Sequence, residues 1–172
     1  KQRHPGVYVT LSSAAVPYVG EYERTATTVF NAYIGPRISS YLSNLDTVLR
    51  GRGLTKPPMI MQSYGGVLDI EGTCRNAVGT VESGPASGVV GTRFLGELIG
   101  EENILATDMG GTTFKVGVVR EGRIERDYAP VVLRYRMLSP KIWVESVGTG
   151  GGSISWIEAE TGLLKVGPEG AG

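Results

Sequence analysis

The stretch Asp108-Met109-Gly110-Gly111-Thr112-Thr113 lies between two apolar runs, Asn103 to Thr107 and Phe114 to Val119. This order is typical of a β-hairpin, because glycine lets the chain turn without a clash from a Cβ atom. Backbone N–H groups and threonine hydroxyls can donate to phosphate oxygens, and a carboxylate can hold Mg²⁺ directly or through water. The residues therefore leave two interpretations: a phosphate-binding bend, or a tight turn whose Asp and Thr side chains bond to their own backbone.

A second glycine cluster, Gly148-Thr149-Gly150-Gly151-Gly152-Ser153, follows the predicted strand Ile142–Val147. Ordering glycine costs more conformational entropy than ordering any other residue. Four glycines among these six residues are more than a turn requires. The cluster predicts close approach of the backbone to a ligand or to a neighbouring loop.

A third polar segment, Gln62-Ser63-Tyr64-Gly65-Gly66, follows the predicted buried strand Met59–Met61. The carboxyl end of a strand in an α/β sheet is a common place for a ligand. A β-hairpin turn explains the same residues equally well, so both interpretations stay open here.

Helices are predicted in two places. Apolar residues at helical spacing predict a long helix from Glu21 to about Arg52, with a kink or a restart at Gly35-Pro36. Its predicted buried stripe comprises Ile38, Leu42, Leu45 and Leu49. Ser83 is predicted to cap a second helix that Pro85 begins and Gly100 ends.

The remaining segments are predicted to be mainly strands. Ile70 to Val81 is ambiguous, with a short helix followed by a strand as the expectation. The other predicted strands are Val7–Leu11, Ile124–Tyr128, Val131–Leu138, and a hairpin of Ile154–Ile157 with Leu163–Val166.

Composition narrows the class of protein. The 172 residues have a formal net charge of +0, which argues against a nucleic-acid or anionic-membrane partner. The single cysteine, Cys74, excludes an internal disulfide and fits a reducing cytoplasm. No apolar run approaches the length of a membrane span. We expect a fragment or one piece of a split protein in the cytoplasm, because the chain begins at Lys1 without Met and stops within Val166–Gly172, and we expect the sole histidine, His4, to be a surface residue.

Short motifs along the chain resemble, in their order, those of one family. They are Glu23-Arg24-Thr25-Ala26-Thr27-Thr28, Asn31-Ala32-Tyr33, Met61-Gln62-Ser63, Ser83-Gly84-Pro85-Ala86, Asp108-Met109-Gly110-Gly111-Thr112 and Gly150-Gly151-Gly152-Ser153-Ile154. Each motif is weak alone, but the ordered set covers nearly the whole chain. It resembles the hydantoinase A / 5-oxoprolinase family, which includes ATP-dependent acetone and acetophenone carboxylase subunits.

The resemblance implies an α/β fold of the actin-like ATPase type, in which two ribonuclease-H-like lobes close on a nucleotide. By that likeness, residues 1–101 are the end of the first lobe with the connecting helix Pro85–Ile99. Residues 102–172 are the start of the second lobe, and Asp108–Thr113 is its phosphate loop. The family's first phosphate loop precedes residue 1 and its adenosine segment follows residue 172, so the resemblance implies only part of an ATP site.

The resemblance also implies a chemistry, with ATP and Mg²⁺ as cofactors. ATP phosphorylates a carbonyl-type oxygen before a hydantoin or oxoproline ring is opened or a ketone is carboxylated. The implied partners are a small carbonyl substrate and either other subunits of a hetero-oligomeric complex or the rest of a longer chain. A non-catalytic structural copy of the fold within such a complex is the alternative.

Site residues follow from the same likeness. Asp108 would hold Mg²⁺ or position the attacking water, and Lys115 is a second catalytic candidate that could pair with phosphate or point into solvent. The candidate nucleotide-binding residues are Asp108, Gly110, Gly111, Thr112, Thr113, Gly148, Gly150, Gly151, Gly152 and Ser153. The candidate substrate-binding residues are Gln62, Ser63, Gly65 and Gly66.

The chain also departs from the family pattern. Family members often carry Ser-His-Glu where this chain has Ser12-Ser13-Ala14, and an Asn where Tyr64 stands. They usually have an Asp at the position of Lys115, and an Asp is common at that of Trp143. Loss of a His and of acidic residues removes candidate metal ligands and proton carriers. Either the catalysis of this copy is altered, or the copy no longer catalyses.

Overall fold

A computed structural model describes residues 6–171 of the chain, so His4 lies outside the described part. The described residues group into two units: the first holds 6–87 and 126–142, and the second holds 88–125 and 143–171. The helices are α1 (Ser12–Ala15), α2 (Glu21–Gly51), α3 (Ile70–Arg75), a 3-10 helix (Ala77–Thr80) and α4 (Ser83–Ile99). The assignment of 1–101 and 102–172 to two ribonuclease-H-like lobes stays a prediction.

The strands are short in the first unit and longer in the second. They are β1 (Ile60–Met61), β2 (Val67–Leu68), β3 (Ile104–Met109), β4 (Phe114–Arg120), β5 (Arg123–Ile124), β6 (Arg126–Asp127), β7 (Val131–Val132), β8 (Tyr135–Arg136), β9 (Lys141–Ile142), β10 (Val144–Val147), β11 (Ser153–Ile157) and β12 (Leu164–Gly170).

Helix α2 confirms the long predicted helix of the first unit. Leu42 of the predicted stripe is buried, and the other members are half-buried. The expected restart is wrong, because α2 continues through Pro36. Gly35 is buried against Tyr8 so closely that a Cβ built on Gly35 would lie 2.2 Å from the tyrosine Cζ atom. Tertiary packing on this turn thus offsets the intrinsic cost of proline inside a helix.

Asn31, one of the motif residues, ties α2 to the segments packed on it. Its side chain is fully buried, and its Nδ2 atom lies 3.0 Å from both Oγ1 of Thr10 and the carbonyl oxygen of Arg75. Its Oδ1 atom accepts from the N–H of Val78 at 3.0 Å. Because both ends of the amide are bonded, this buried polar group holds three chain segments in one register.

Three further predictions for the first unit are wrong. Residues 7–11 form no strand, because no neighbouring segment of the described chain pairs with them. The second part of Ile70–Val81 is the 3-10 helix instead of a strand. The predicted strand Val131–Leu138 is instead the hairpin β7–β8, because Leu133 and Arg134 take positive φ angles of 49° and 74°. Positive φ at both central residues makes the tight reversal that a two-residue hairpin needs.

The second unit is built on a sheet with the strand order β10-β4-β3, and β5 also pairs with β4. Strands β3 and β4 form the predicted antiparallel hairpin, with Ile104 opposite Val119 and Met109 opposite Phe114. Val89 of α4 fills the space over Gly117 of β4, where a Cβ would lie 2.2 Å from the valine Cγ2 atom. The predicted hairpin of Ile154–Ile157 with Leu163–Val166 is confirmed as β11–β12.

The start of α4 differs from the prediction: the helix begins two residues before Pro85, and Ser83 is not its cap. Ser83 is the first residue of the helix, so the residue at the cap position is Glu82, whose φ is +59°. The Glu82 carboxylate pairs with the ammonium group of Lys141 in the first unit. Gly100, with a φ of +77°, follows the helix as predicted.

Within residues 6–171, no helix combines the length and the apolar character that a membrane span requires.

Candidate functional site

The bend between β3 and β4 is exposed, and its backbone is ordered by one bond at its base. The N–H of Gly110 donates to the carbonyl oxygen of Thr113 at 3.0 Å. Asp108 belongs to β3 itself and not to the bend, and its side chain is exposed together with Gly110, Gly111 and Thr112. The structure thus places the predicted carboxylate, glycines and threonines together at one accessible end of the hairpin.

The second glycine cluster contacts this bend directly. The N–H of Gly151 donates to the carbonyl oxygen of Gly110 at 2.9 Å, and that of Gly152 donates to the carbonyl oxygen of Gly111 at 2.8 Å. A Cβ on Gly150 would lie 2.6 Å from the carbonyl oxygen of Gly110. The predicted close approach to a neighbouring loop is therefore confirmed, and that loop is the bend at Gly110–Gly111.

Gly111 is different, because nothing in the described chain requires glycine there. Its φ lies outside the left-handed region, and no atom lies within 4 Å of the position where a Cβ would stand. Neither its N–H nor that of Thr112 donates to a backbone carbonyl of the described residues. An exposed backbone with free donors and space in place of a side chain is a surface that an anion can approach closely.

Lys115 lies on the same face of the sheet as Asp108. Asp108 stands directly opposite Lys115 in the β3–β4 ladder, and Ser146 stands opposite Lys115 in the β4–β10 ladder. Residues directly opposite each other in antiparallel strands project to the same side. The Nζ atom of Lys115 donates to Oγ1 of Thr113 at 3.1 Å. The open question of its direction is thereby answered: the ammonium group lies at the bend.

Ser146 was not among the predicted site residues. Its strand was predicted, but strand alternation alone does not say which face Ser146 takes. The one usable signal was its position two residues before Gly148, at the end of a strand that leads into a glycine loop.

The predicted substrate residues lie in the first unit, in the hairpin between β1 and β2. The N–H of Gln62 donates to the carbonyl oxygen of Gly66 at 2.8 Å, so the hairpin-turn interpretation is correct for the backbone. The side chain of Gln62 is 0% exposed, and its Nε2 atom donates to the carbonyl oxygen of Ile60 at 3.0 Å. Gly65 and Gly66 are half-buried at the bend.

The neighbours of Gln62 in this hairpin are also enclosed. The N–H of Ser63 donates to the carbonyl oxygen of Gly79 at 2.6 Å, and Ser63 is 2% exposed. Burial raises the pKa of the Tyr64 phenol above its ordinary value. The backbone bonds of Gln62 and Ser63, with the bonds of the Gln62 amide nitrogen, hold the hairpin in place, and a role in substrate binding stays a prediction for Gln62, Ser63, Gly65 and Gly66.

The donor set at the bend fits a nucleotide phosphate better than a bare metal ion. In residues 6–171, no group of three or more His, Cys, Asp or Glu side chains lies together. Proteins commonly bind Mg²⁺ through one or two carboxylates and the phosphates of a substrate. The carboxylate of Asp108, beside the free N–H groups of Gly111 and Thr112, matches that arrangement.

Comparison with known proteins agrees with the fold. The family model for Hydantoinase/oxoprolinase matches residues 24–172. The chain is 36% identical, over 98% of its length, to the alpha subunit of caprolactamase from Pseudomonas jessenii and covers 24% of that protein.

Two solved structures are also similar. The crystal structure of the ATP-dependent caprolactamase from Pseudomonas jessenii matches with a TM-score of 0.81 and 36% identity, over 99% of this chain and 25% of that chain. The nucleotide-free structure of acetone carboxylase, from work on ATP-dependent acetone carboxylation, matches with a TM-score of 0.79 and 31% identity, over 94% of this chain and 22% of that chain. The chain thus spans about a quarter of the length of these relatives. It has an α/β fold of the actin-like ATPase type that matches one segment of those larger structures, and it belongs to the hydantoinase/oxoprolinase family.

Proposed function

We propose that this chain supplies a phosphate-binding segment of an ATP-dependent hydrolase or carboxylase subunit. One observation carries the proposal: the Gly110–Thr113 bend presents free backbone donors, beside the Asp108 carboxylate, on an exposed surface. The related caprolactamase and acetone carboxylase are both described as ATP-dependent. The bend is therefore the segment at which we expect ATP to contact the chain.

In this proposal the backbone does most of the binding. The N–H groups of Gly111 and Thr112 would donate to phosphate oxygens, and the hydroxyls of Thr112 and Thr113 would add further donors. The absence of a side chain at Gly111 lets the phosphate approach the backbone closely. Phosphoryl transfer depends chiefly on positioning and on neutralising charge, so such a loop serves it without a protein nucleophile.

Asp108 would hold Mg²⁺ through its exposed carboxylate or orient the attacking water. When bound, ATP with Mg²⁺ supplies the phosphoryl group that activates a carbonyl-type oxygen, either of a ketone or of a cyclic amide. The chain's own contribution is to fix the phosphate tail and to place a negative charge beside it for the metal ion.

The Gly148–Ser153 loop would keep the bend in its binding shape. Gly151 and Gly152 donate to the bend's carbonyl oxygens, and the N–H of Gly150 donates to Oγ of Ser153 at 2.9 Å. These bonds leave the N–H side of the bend accessible while its carbonyl side is bonded. Gly148, which has no atom within 4 Å of its missing Cβ, is the member of this loop with space to line a ligand.

Partners and substrate belong to the same proposal. Four large apolar side chains of α4 are exposed, from 59% at Phe94 to 71% at Ile99, the others being Leu95 and Leu98. Exposed apolar side chains on one helix favour association with another protein surface. We therefore infer that other subunits or further parts of a longer polypeptide cover α4. The carbonyl substrate would lie near the Gly65-Gly66 bend, and the location would be cytoplasmic.

A second candidate function is a non-catalytic copy of the fold within a larger complex. Lys115 favours it, because a cation opposite Asp108 disfavours a second positive charge at that carboxylate. In this alternative the bend would serve assembly only and would hold no nucleotide.

Calorimetric titration of ATP and Mg²⁺ into the intact polypeptide or complex separates the two functions. Saturable binding that weakens at least tenfold in Asp108→Asn supports the nucleotide site, because the variant keeps the shape and removes the charge. Asp69→Asn is the control, since Asp69 is exposed at the start of α3 and its carboxylate accepts only a local bond from Gly72. Absence of binding in the wild-type protein, with assembly intact, would establish the non-catalytic copy.

A further inference from the structure

Strands β3, β4 and β10 bring three polar side chains into one row beside the bend. Asp108, Lys115 and Ser146 occupy directly opposed positions on these three neighbouring strands. Directly opposed residues have their Cβ atoms about 4.5–5.5 Å apart on one face. The row therefore presents a carboxylate, an ammonium group and a hydroxyl side by side.

The ammonium group of Lys115 is held toward the bend by a hydroxyl and not by an acid. Its Nζ atom donates to Oγ1 of Thr113, the last residue of the bend, at 3.1 Å. Within the described residues, no carboxylate oxygen lies within 4.0 Å of that nitrogen, although Asp108 stands opposite. An ammonium group has three donors, so two remain after the bond to Thr113.

A half-buried lysine with unused donors beside free backbone N–H groups is suited to a multiply charged anion. Lysine binds phosphate as a point charge, and charge-assisted hydrogen bonds are stronger than neutral ones. Gly111, Thr112 and Lys115 together offer N–H donors to the same region of the bend.

We propose that Lys115 contacts the phosphate tail of the bound nucleotide, with Ser146 as a neighbouring hydroxyl donor, and that this contact lowers the Mg²⁺ dependence of nucleotide binding. The inference rests on the proposed nucleotide site and goes beyond it. It assigns part of the neutralisation of phosphate charge to a fixed cation of the protein. A lysine at this position would otherwise only balance the charge of Asp108.

The test is a titration of ATP into the intact polypeptide or complex, once with excess Mg²⁺ and once with EDTA. Lys115→Gln removes the charge while keeping a polar chain, and Lys115→Arg keeps the charge. Lys115→Asp reverses the charge on the same face. Lys165→Met is the control, because Lys165 lies on β12 of the same unit and pairs with Glu158 at 3.7 Å, away from this row.

We expect Lys115→Gln to weaken ATP binding about tenfold or more in EDTA and less with Mg²⁺, because the metal ion can replace the lost charge. Lys115→Arg should stay within about threefold of the wild type. The Lys115→Asp variant should bind ATP detectably only when Mg²⁺ is present. Ser146→Ala should have a smaller effect of the same sign, and Lys165→Met should have none.

Equal affinities of the wild type, Lys115→Gln and Lys115→Asp in both conditions would overturn the inference. If Asp108→Asn still weakens binding in that case, the nucleotide site stands and only the role of Lys115 falls. If the wild-type protein binds no ATP, both proposals fall. Thermal unfolding of each variant is measured alongside. If Lys115→Asp does not fold, the comparison of Lys115→Arg with Lys115→Gln tests the inference.

Discussion

Gly150 and Gly110 approach each other so closely that a Cβ on Gly150 would lie 2.6 Å from the Gly110 carbonyl oxygen. That separation is well inside van der Waals contact, and the obstructing atom belongs to the backbone. Neighbouring N–H groups of the same loop donate to the carbonyl oxygens of Gly110 and Gly111. The two glycine loops therefore form one structural unit that depends on a missing side chain.

Gly150→Ala should separate these loops. An extra methyl group in a closely packed site costs about 1–3 kcal/mol, because backbone has to move. The N–H groups of Gly151 and Gly152 should then exchange with solvent about tenfold faster or more, as measured by hydrogen exchange of the 148–153 segment. Gly148→Ala is the matched control, since nothing lies within 4 Å of its missing Cβ. Equal exchange rates in the two variants would contradict the packing argument.

Gly111→Ala, in contrast, should leave the fold intact and weaken the binding of ATP. The position has space and a φ outside the left-handed region, so alanine should leave the free energy of unfolding unchanged or raise it by about 0.4–1 kcal/mol. Binding of ATP to the intact polypeptide should nevertheless weaken, because the methyl group would stand where the phosphate approaches the backbone. Calorimetry and thermal unfolding measure the two effects. Unchanged ATP affinity in a stable Gly111→Ala variant would argue against phosphate binding at this bend.

The hairpin at the centre of the second unit was predictable because its determinants are local. Two apolar segments around Gly110-Gly111 specify strand, turn and strand. The face taken by Lys115 was not predictable, because it depends on which residue stands opposite it. Only the pairings with Asp108 and Ser146 decide that.

Failures of prediction arise where long-range packing overrides local preference. The strand predicted over Val131–Leu138 contains a reversal at Leu133 and Arg134, and neither residue type signals a positive φ. Gln62 follows an apolar segment, as a ligand-binding residue would, and its side chain is buried against Thr73 and Gly79, while its role in substrate binding stays a prediction. Burial of a polar amide cannot be read from its position in the chain.

Asn31→Ala should destabilise the first unit by about 2–4 kcal/mol, because it leaves the buried N–H of Val78 and the carbonyl oxygen of Arg75 without their partner. The N–H of Val78, which now donates to Oδ1 of Asn31, should lose much of its protection against hydrogen exchange. Asn44→Ala provides a matched control on the same helix, since Asn44 is exposed. A loss of stability no larger than that of Asn44→Ala would show that the Asn31 network contributes little.

The ion pair between Glu82 and Lys141 should be energetically coupled although it involves a strained residue. A glutamate with a φ of +59° adopts a backbone conformation that ordinary residues rarely take, at a cost of about 1 kcal/mol or more. The side chains of Lys141 and Glu82 are 17% and 33% exposed, so solvent screens their attraction less than at the surface. A double-mutant cycle with Glu82→Gln and Lys141→Met should therefore give a coupling energy of about 1 kcal/mol in urea unfolding.

A second double-mutant cycle, on Glu71 and Arg75, is the control for the cycle on Glu82 and Lys141. Glu71 and Arg75 form an ion pair with the same charges on the surface of α3. Their side chains are 80% and 67% exposed, so the expected coupling is about 0.3 kcal/mol and should vanish in high salt. Glu82→Gly adds a further test, because glycine relieves the positive φ while it removes the carboxylate. If Glu82→Gly is more stable than the wild type and the two cycles give equal coupling, the ion pair does not stabilise the start of α4.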